Sequence, residues 1–247
     1  MGIIVITGGS RGIGASTAEH AAGRGMGVIL TYNSDQEAAA SVVGRIEHAG
    51  GKAVALKLDV ADVSSFEAFA AAARSTLQDT WGTTTLSGLV NNAGYGLFNP
   101  LASVSEAQFD GLFNVHLKGP FFLTQTLLPL LADNASIVNV TSATTRVATA
   151  GVAPYAAFKG GLEVLTRYMA KEFGERRIRA NAVSPGAIRT ELGGGLNDEF
   201  EAMLAAQTAL GRVGEPQDVA RVIAMLLSEE GAWINAQTLE VAGGYNI

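Results

Sequence analysis

Tyr155 and Lys159 stand four residues apart in Tyr155-Ala156-Ala157-Phe158-Lys159, and Ser142 lies upstream of them. On an α-helix that spacing puts the two side chains on one face, one turn apart. An ammonium held so close favours the phenolate and draws the tyrosine down from its ordinary pKa of about 10, toward the range of a general acid or base. Tyrosine and lysine also fall at this spacing on many amphipathic helices that do no chemistry. The elements that would position them decide between the two readings.

Those elements form one domain. The chain has 247 residues, 48% hydrophobic and 16% charged, which are values of a globular protein with a sizeable core. A net charge of −6 argues against a nucleic-acid partner. With no cysteine, disulfides and thiolate metal sites are excluded, and His20, His48 and His116 are scattered without ligand spacing, so no metal is expected. The opening Met1-Gly2-Ile3-Ile4-Val5-Ile6-Thr7 reads as a first strand rather than a targeting segment. No uncharged run reaches the ~18 residues of a membrane span, so no membrane partner is expected and the default location is cytoplasmic.

Short β-branched runs are expected as strands at Ile3–Thr7, Val28–Tyr32, Ala53–Leu58, Leu86–Asn91, Ser136–Thr141, Arg179–Val183 and Thr238–Val241. Helical patterns fill the intervals at Gly12–Arg24, Gln36–His48, Val63–Gln78, Glu106–Leu131, Tyr155–Phe173 and Pro216–Leu227. Strands apolar on both faces and alternating with helices predict an α/β, Rossmann-type, doubly wound parallel sheet of about seven strands in a single domain, residues 1–247. Thr190–Gly211 breaks the rhythm with Gly193-Gly194-Gly195 and a short helical pattern at Asp198–Gln207. It is either a loose surface loop or a substrate lid, and its place after the sixth strand favours the lid.

Gly8, Ser10, Arg11, Gly12, Ile13 and Gly14 form a glycine-rich turn between the first strand and first helix. Such a turn lets a pyrophosphate approach backbone N–H groups at the positive helix end. The spacing is Gly-x-x-x-Gly-x-Gly rather than the Gly-x-Gly-x-x-Gly fingerprint. After the second strand the run Tyr32-Asn33-Ser34 carries no acid before Asp35, so nothing selects NAD through the ribose 2′-hydroxyl. Arg11, Asn33 and Ser34 can meet a 2′-phosphate instead, which favours NADP(H), with NAD(H) not excluded. Arg11 as a solvated loop cation is the competing reading. Asp59-Val60 after the third strand can reach an adenine, or Asp59 can simply begin the next helix. Asn91, Asn92, Ala93 and Gly94 after the fourth strand can tie strand ends together and leave room for a flat ring.

Taken in order, the glycine loop, Asn91-Asn92-Ala93-Gly94, Asn114, Ser142, Tyr155-(x)3-Lys159 and Ser184-Pro185-Gly186 resemble the short-chain dehydrogenases/reductases, and most of all their 3-oxoacyl-[acyl-carrier-protein] reductase branch. The resemblance covers essentially the whole chain. It implies a tetrad of Asn114, Ser142, Tyr155 and Lys159. Tyr155 would exchange a proton with the substrate oxygen, Ser142 would hydrogen-bond that oxygen, and Lys159 would hold the nicotinamide ribose and lower the pKa of Tyr155. Asn114 would interrupt its helix and hold a water near Lys159. The resemblance places Pro185, Gly186, Ile188 and Thr190 on the nicotinamide side.

The implied function is NADP(H)-dependent hydride transfer between nicotinamide and a carbonyl or secondary alcohol, possible substrates including a 3-oxoacyl thioester. The alternatives are an NAD(H)-linked sugar or polyol dehydrogenase and a non-catalytic dinucleotide sensor. Residues 143–147 and 94–98 would line the substrate side, with Arg146 facing an anion or a surface contact. The resemblance also implies a homotetramer, to which the long helices with apolar residues such as Phe109, Phe121 and Leu165 on more than one face would contribute. One departure stands out. Trp233-Ile234-Asn235-Ala236-Gln237 has alanine where the family commonly has glycine, so that turn is expected to be built differently.

Overall fold

A computed structural model describes residues 2–247. Seven strands form one parallel sheet in the order β3-β2-β1-β4-β5-β6-β7. They are β1 (Ile3–Ile6), β2 (Gly27–Tyr32), β3 (Ala53–Lys57), β4 (Leu86–Asn91), β5 (Leu131–Val140), β6 (Arg179–Pro185) and β7 (Thr238–Val241). The helices are α1 (Gly12–Gly23), α2 (Gln36–His48), α3 (Phe66–Trp81), α4 (Glu106–Phe113), α5 (Gly119–Leu127), α6 (Ala153–Glu172), α7 (Asp198–Ala206) and α8 (Pro216–Leu227). Parallel strands need crossovers, and the helices of those crossovers cover both faces. One apolar layer joins Ile29, Leu89 and Ile137 to Phe66, Phe69, Leu123 and Met169. The other joins Ile4, Leu30 and Val138 to Val42, Val219 and Ile223. The strand order reverses direction at β1 and β4, so the crevice beyond their carboxyl ends is where such a sheet accepts ligands.

Two elements differ from the sequence reading. The helix expected over Glu106–Leu131 is divided, beginning at Asn114, where the family resemblance implies an interruption. After α4, Asn114–Lys118 is a π-helical turn, closed by the Gly119 N–H on the Asn114 carbonyl. Pro120 has no N–H to bond the carbonyl one turn back, and the wider turn accommodates that loss. Strand β5 begins at Leu131 rather than Ser136, because its register against β4 jumps from Leu86↔Leu131 to Gly88↔Ser136 across an irregularity containing Asn134 at φ 66°. The exposed polar residues of that bulge conceal the early start of the strand.

The turn before β7 contradicts the expectation for Ala236, which adopts φ 60° despite its methyl group. Hydrogen bonds over-determine it. Ala236 N donates to the Ala180 carbonyl at 2.9 Å, Asn235 Oδ1 accepts from Ala180 N at 2.9 Å, and Asn181 Nδ2 donates to the Ile234 carbonyl at 2.8 Å. No helix among the described residues is long and apolar enough to cross a membrane.

Candidate active site

A cavity of about 930 Å³ runs along the carboxyl edge of the sheet, from the end of β2 to α6. At one end, Gly8, Ser10, Arg11, Gly12 and Ile13 line it, together with Asn33, Ser34, Asp59 and Val60. Gly8 sits at φ 63°, and a Cβ there would lie 2.8 Å from the Ala93 Cα, so the loop requires glycine at this point. Helix α1 begins against this wall with no side-chain cap and no acidic residue in its first turn. Its N–H groups and dipole are therefore available to an anion, which fits a pyrophosphate. Asp35 lines the cavity but is committed to capping α2, accepting from Ala38 N at 2.9 Å. Asp59 accepts from Ala61 N at 2.9 Å, which leaves its second oxygen for a ligand. Arg11 pairs with Glu191 at 3.3 Å, both ends largely exposed (70% and 78%). A pair that open contributes about 0–1 kcal/mol, so an incoming phosphate can take the guanidinium at little cost.

At the other end stand Ser142, Tyr155 and Lys159. Tyr155 falls in the first turn of α6, which begins at Ala153 with Pro154 next and has no side-chain cap. Lys159 is one turn further on and buried, with Nζ donating to the Val140 carbonyl at 2.7 Å, at the end of β5. Burial lowers its pKa to about 8. Ser142 Oγ accepts from Thr144 Oγ1 at 3.0 Å, which leaves the serine O–H to donate into the cavity.

The phenol of Tyr155 departs from the expectation. Burial pushes its pKa up, and the hydrogen bond with Ser142 only partly opposes this. Desolvation prevails because the Lys159 Nζ lies 5.7 Å from the ring centroid and spends a hydrogen bond on Val140.

Most of the expected site residues converge here, with Ala93, Gly94, Pro185, Gly186, Ile188 and Thr190 completing the walls. Three do not line the cavity. Gly14 is a packing residue, since a Cβ there would strike the Gly8 carbonyl and the Asn92 amide. Asn91 points into the core, where its Nδ2 donates to Asn139 Oδ1 at 2.8 Å and Thr124 Oγ1 at 3.2 Å. Asn114 contributes the carbonyl that closes the π turn, and in that turn Val115 and His116 are the residues that meet the cavity.

Asn92, expected to help tie strand ends, does so, and His116, given no site role in the sequence reading, adjoins Tyr155. Asn92 Nδ2 braces the glycine loop through the carbonyls of Thr7 at 2.9 Å and Gly8 at 3.1 Å. His116 is 1% exposed and packs edge-on to Tyr155, with ring centroids 5.0 Å apart at 83°. Burial and the Lys159 charge lower its pKa to about 3, while a hydrogen bond to the Tyr95 carbonyl opposes them.

The substrate-side expectation holds in part. Gly94, Tyr95 and Gly96 line the cavity, whereas residues 143–147 do not. Arg146 donates through Nε to Glu240 at 2.9 Å, and its Nη atoms donate to the carbonyls of Tyr245 and Asn246 at 2.8 and 2.9 Å. It anchors the C-terminal segment. Across the mouth, Glu191 to Leu196 form a wall in which Gly193, Gly194 and Gly195 all have positive φ, at 69°, 102° and 84°. Arg189 fixes the adjoining α7 to the start of α8 by pairing with Glu201 at 2.7 Å and Glu215 at 2.9 Å.

A parallel doubly wound sheet with a serine, a tyrosine and a lysine at the carboxyl edge defines a dinucleotide-dependent type of oxidoreductase. Comparison with known proteins gives the family. The profile described as "Enoyl-(Acyl carrier protein) reductase" matches residues 8–246. An uncharacterized oxidoreductase of Methylorubrum extorquens is 36% identical, over 98% of this chain and 96% of that protein. A 3-oxoacyl-[acyl-carrier-protein] reductase of Staphylococcus aureus is 34% identical, over 97% and 96%. Among solved structures, the angucycline C-6 ketoreductase LanV with bound NADP superposes with a TM-score of 0.95 at 33% identity, covering 99% of this chain and 95% of that one. The chain belongs to the short-chain dehydrogenase/reductase family, and it is an oxidoreductase acting on carbonyl or alcohol groups.

Proposed function

We propose that this protein is an NADP(H)-dependent reductase of a neutral ketone. The observation that carries the reading is the convergence of Ser142, Tyr155 and Lys159 on one cavity that also holds the uncapped start of α1. Bound NADPH would supply the hydride. Gly8, Ser10, Gly12 and Ile13 would hold the pyrophosphate, Arg11, Asn33 and Ser34 the 2′-phosphate, and Asp59 and Val60 the adenine. Ala93, Gly94, Pro185, Gly186, Ile188 and Thr190 would surround the nicotinamide. The assignment of NADP rests on the absence of a free carboxylate at the end of β2 and is supported by the NADP in the ketoreductase LanV.

In the reducing direction, Tyr155 donates its proton to the substrate oxygen as hydride reaches the carbonyl carbon. Ser142 donates to the same oxygen as charge develops on it. Burial raises the phenol's pKa with Ser142 partly opposing it, which keeps Tyr155 protonated as the donor that the reducing direction needs. Asn114, at the start of the π turn, would hold a water near Lys159, as the family resemblance implies.

The substrate side is apolar and aromatic around Tyr95 and Leu192, and Arg11, Arg146 and Arg189 all have carboxylate partners. A neutral ketone suits those walls better than an anion. A 3-oxoacyl thioester is the second reading, favoured by the Staphylococcus aureus relative. A panel of cyclic and aromatic ketones, β-keto esters and acetoacetyl thioesters, each tested with NADPH and NADH, separates these readings. Turnover of thioesters alone contradicts the first, and a preference for NADH contradicts the cofactor assignment. The wall at 190–211 acts as a lid over the substrate. The exposed faces carrying Phe121, Val164 and Tyr168 fit subunit contacts of a homotetramer, with light scattering as the check.

A further inference from the structure

His116 is a buried titratable group to which the proposed reaction gives no role. Its Nε2 lies 2.9 Å from the Tyr95 carbonyl. A carbonyl only accepts, so Nε2 carries the proton, and in the neutral ring Nδ1 is left as a lone-pair acceptor. That Nδ1 is buried and has no partner among the described residues. The space for the ring depends on Gly94, where a Cβ would lie 2.7 Å from the imidazole Cε1. The ring presents its edge to Tyr155 and lies tilted against Tyr95 at 5.6 Å. Buried polar atoms normally find partners, so the orphan Nδ1 calls for a donor close by, a bridging water included.

The donor with spare capacity nearby is Lys159. Its ammonium has three N–H bonds, one of them given to Val140, and Nζ lies 5.7 Å from the centroid of the Tyr155 ring against which His116 packs at 5.0 Å. We propose that His116 is a positioning residue of this active site, its Nδ1 linked to the Lys159 ammonium through one water, while its ring edge fixes the orientation of Tyr155. The inference rests on the roles given above to Tyr155 and Lys159. The groups facing His116 are Tyr155 and Lys159 from α6 and Tyr95 from the loop after β4, and no carboxylate contributes to its titration. A neutral His116 leaves Lys159 as the cation beside the phenol, and a second acceptor helps keep that buried amine charged at neutral pH.

Histidine-nitrogen NMR of the cofactor-free protein tests the link without turnover. The Nδ1 signal of His116 should lie at a hydrogen-bonded position in the wild type and move to the bare-imine position in Lys159→Met. A bare-imine signal in the wild type, or one that Lys159→Met leaves unmoved, overturns the proposal. In kinetics, His116→Phe keeps a ring and removes both nitrogens. It should lower kcat about tenfold or more, with the KM for NADPH within about twofold, and should shift the basic limb of kcat/KM to lower pH. His116→Asn, whose amide can donate to Tyr95 and accept from that water, should restore part of both. An unchanged pH profile in His116→Phe overturns the proposal, and if that variant does not fold, the NMR result on the wild type decides. Failure of the underlying reading would show separately, as turnover retained by Tyr155→Phe.

Discussion

Lowering the pH from about 7.5 to about 4.5 should weaken this protein through His116 by an amount that the structure sets. The imidazole has its pKa lowered to about 3 in the folded chain, against 6.5 for an unperturbed histidine. Below 6.5 the unfolded state takes up a proton that the folded state refuses, so stability present above that pH is lost as pH falls toward 3. Each unit in that window costs about 1.4 kcal/mol, so a fall to about pH 4.5 costs about 2.7 kcal/mol. Urea unfolding of the wild type and His116→Asn at the two pH values isolates the effect, because the carboxylates, His20 and His48 are common to both. The stability gap between the two proteins should shift in favour of the variant by about 2–3 kcal/mol on acidification. A gap that stays constant within about 0.5 kcal/mol would refute the buried, neutral imidazole.

Three further substitutions probe other parts of the account. Ala236→Gly relieves about 1–2 kcal/mol of left-handed strain and gives back about 0.4–1 kcal/mol in unfolded-state entropy. It should therefore raise the thermal midpoint, with a net gain of about 0.5 kcal/mol, and a lower midpoint would contradict the strain. Asn91→Ala leaves Asn139 Oδ1 without its donor in the core and should cost about 1–3 kcal/mol in denaturant unfolding. The KM for NADPH should stay unchanged, and a raised KM with normal stability would return Asn91 to the cofactor site. Arg11→Ala should lower kcat/KM for NADPH relative to NADH by about tenfold or more, with stability within about 1 kcal/mol of wild type. Equal loss with both cofactors would remove Arg11 from the 2′-phosphate.

The fold was legible because its signals are local. β4 at Leu86–Asn91, α2 at Gln36–His48 and α8 at Pro216–Leu227 have the bounds expected from apolar runs and helical periods. Tyr155 and Lys159 were legible for the same reason, since a helix turns their spacing into proximity. What was not legible depends on direction and on distant partners. Neither Asn91 nor Asn92 says which of them faces the core, because that is set by the packing of β4 between two layers. A π turn begins at Asn114 and brings Val115 and His116 to the cavity wall, which helical spacing alone does not give. Arg146 looked available until the C-terminal segment, far away in sequence, supplied Glu240 and two carbonyls. Two residues mark that π turn in the sequence: Asn114, at which the family resemblance implies an interruption, and Pro120, which cannot bond back along the helix.

The central claim is that Tyr155 is the proton donor at a ketone beside bound NADPH. Its most direct test measures turnover and NADPH affinity together for Tyr155→Phe, using a ketone that the wild type reduces. The account predicts a loss of about a hundredfold or more in kcat, with the Kd for NADPH within about twofold. Turnover within about tenfold of wild type, with the cofactor bound normally, would contradict it.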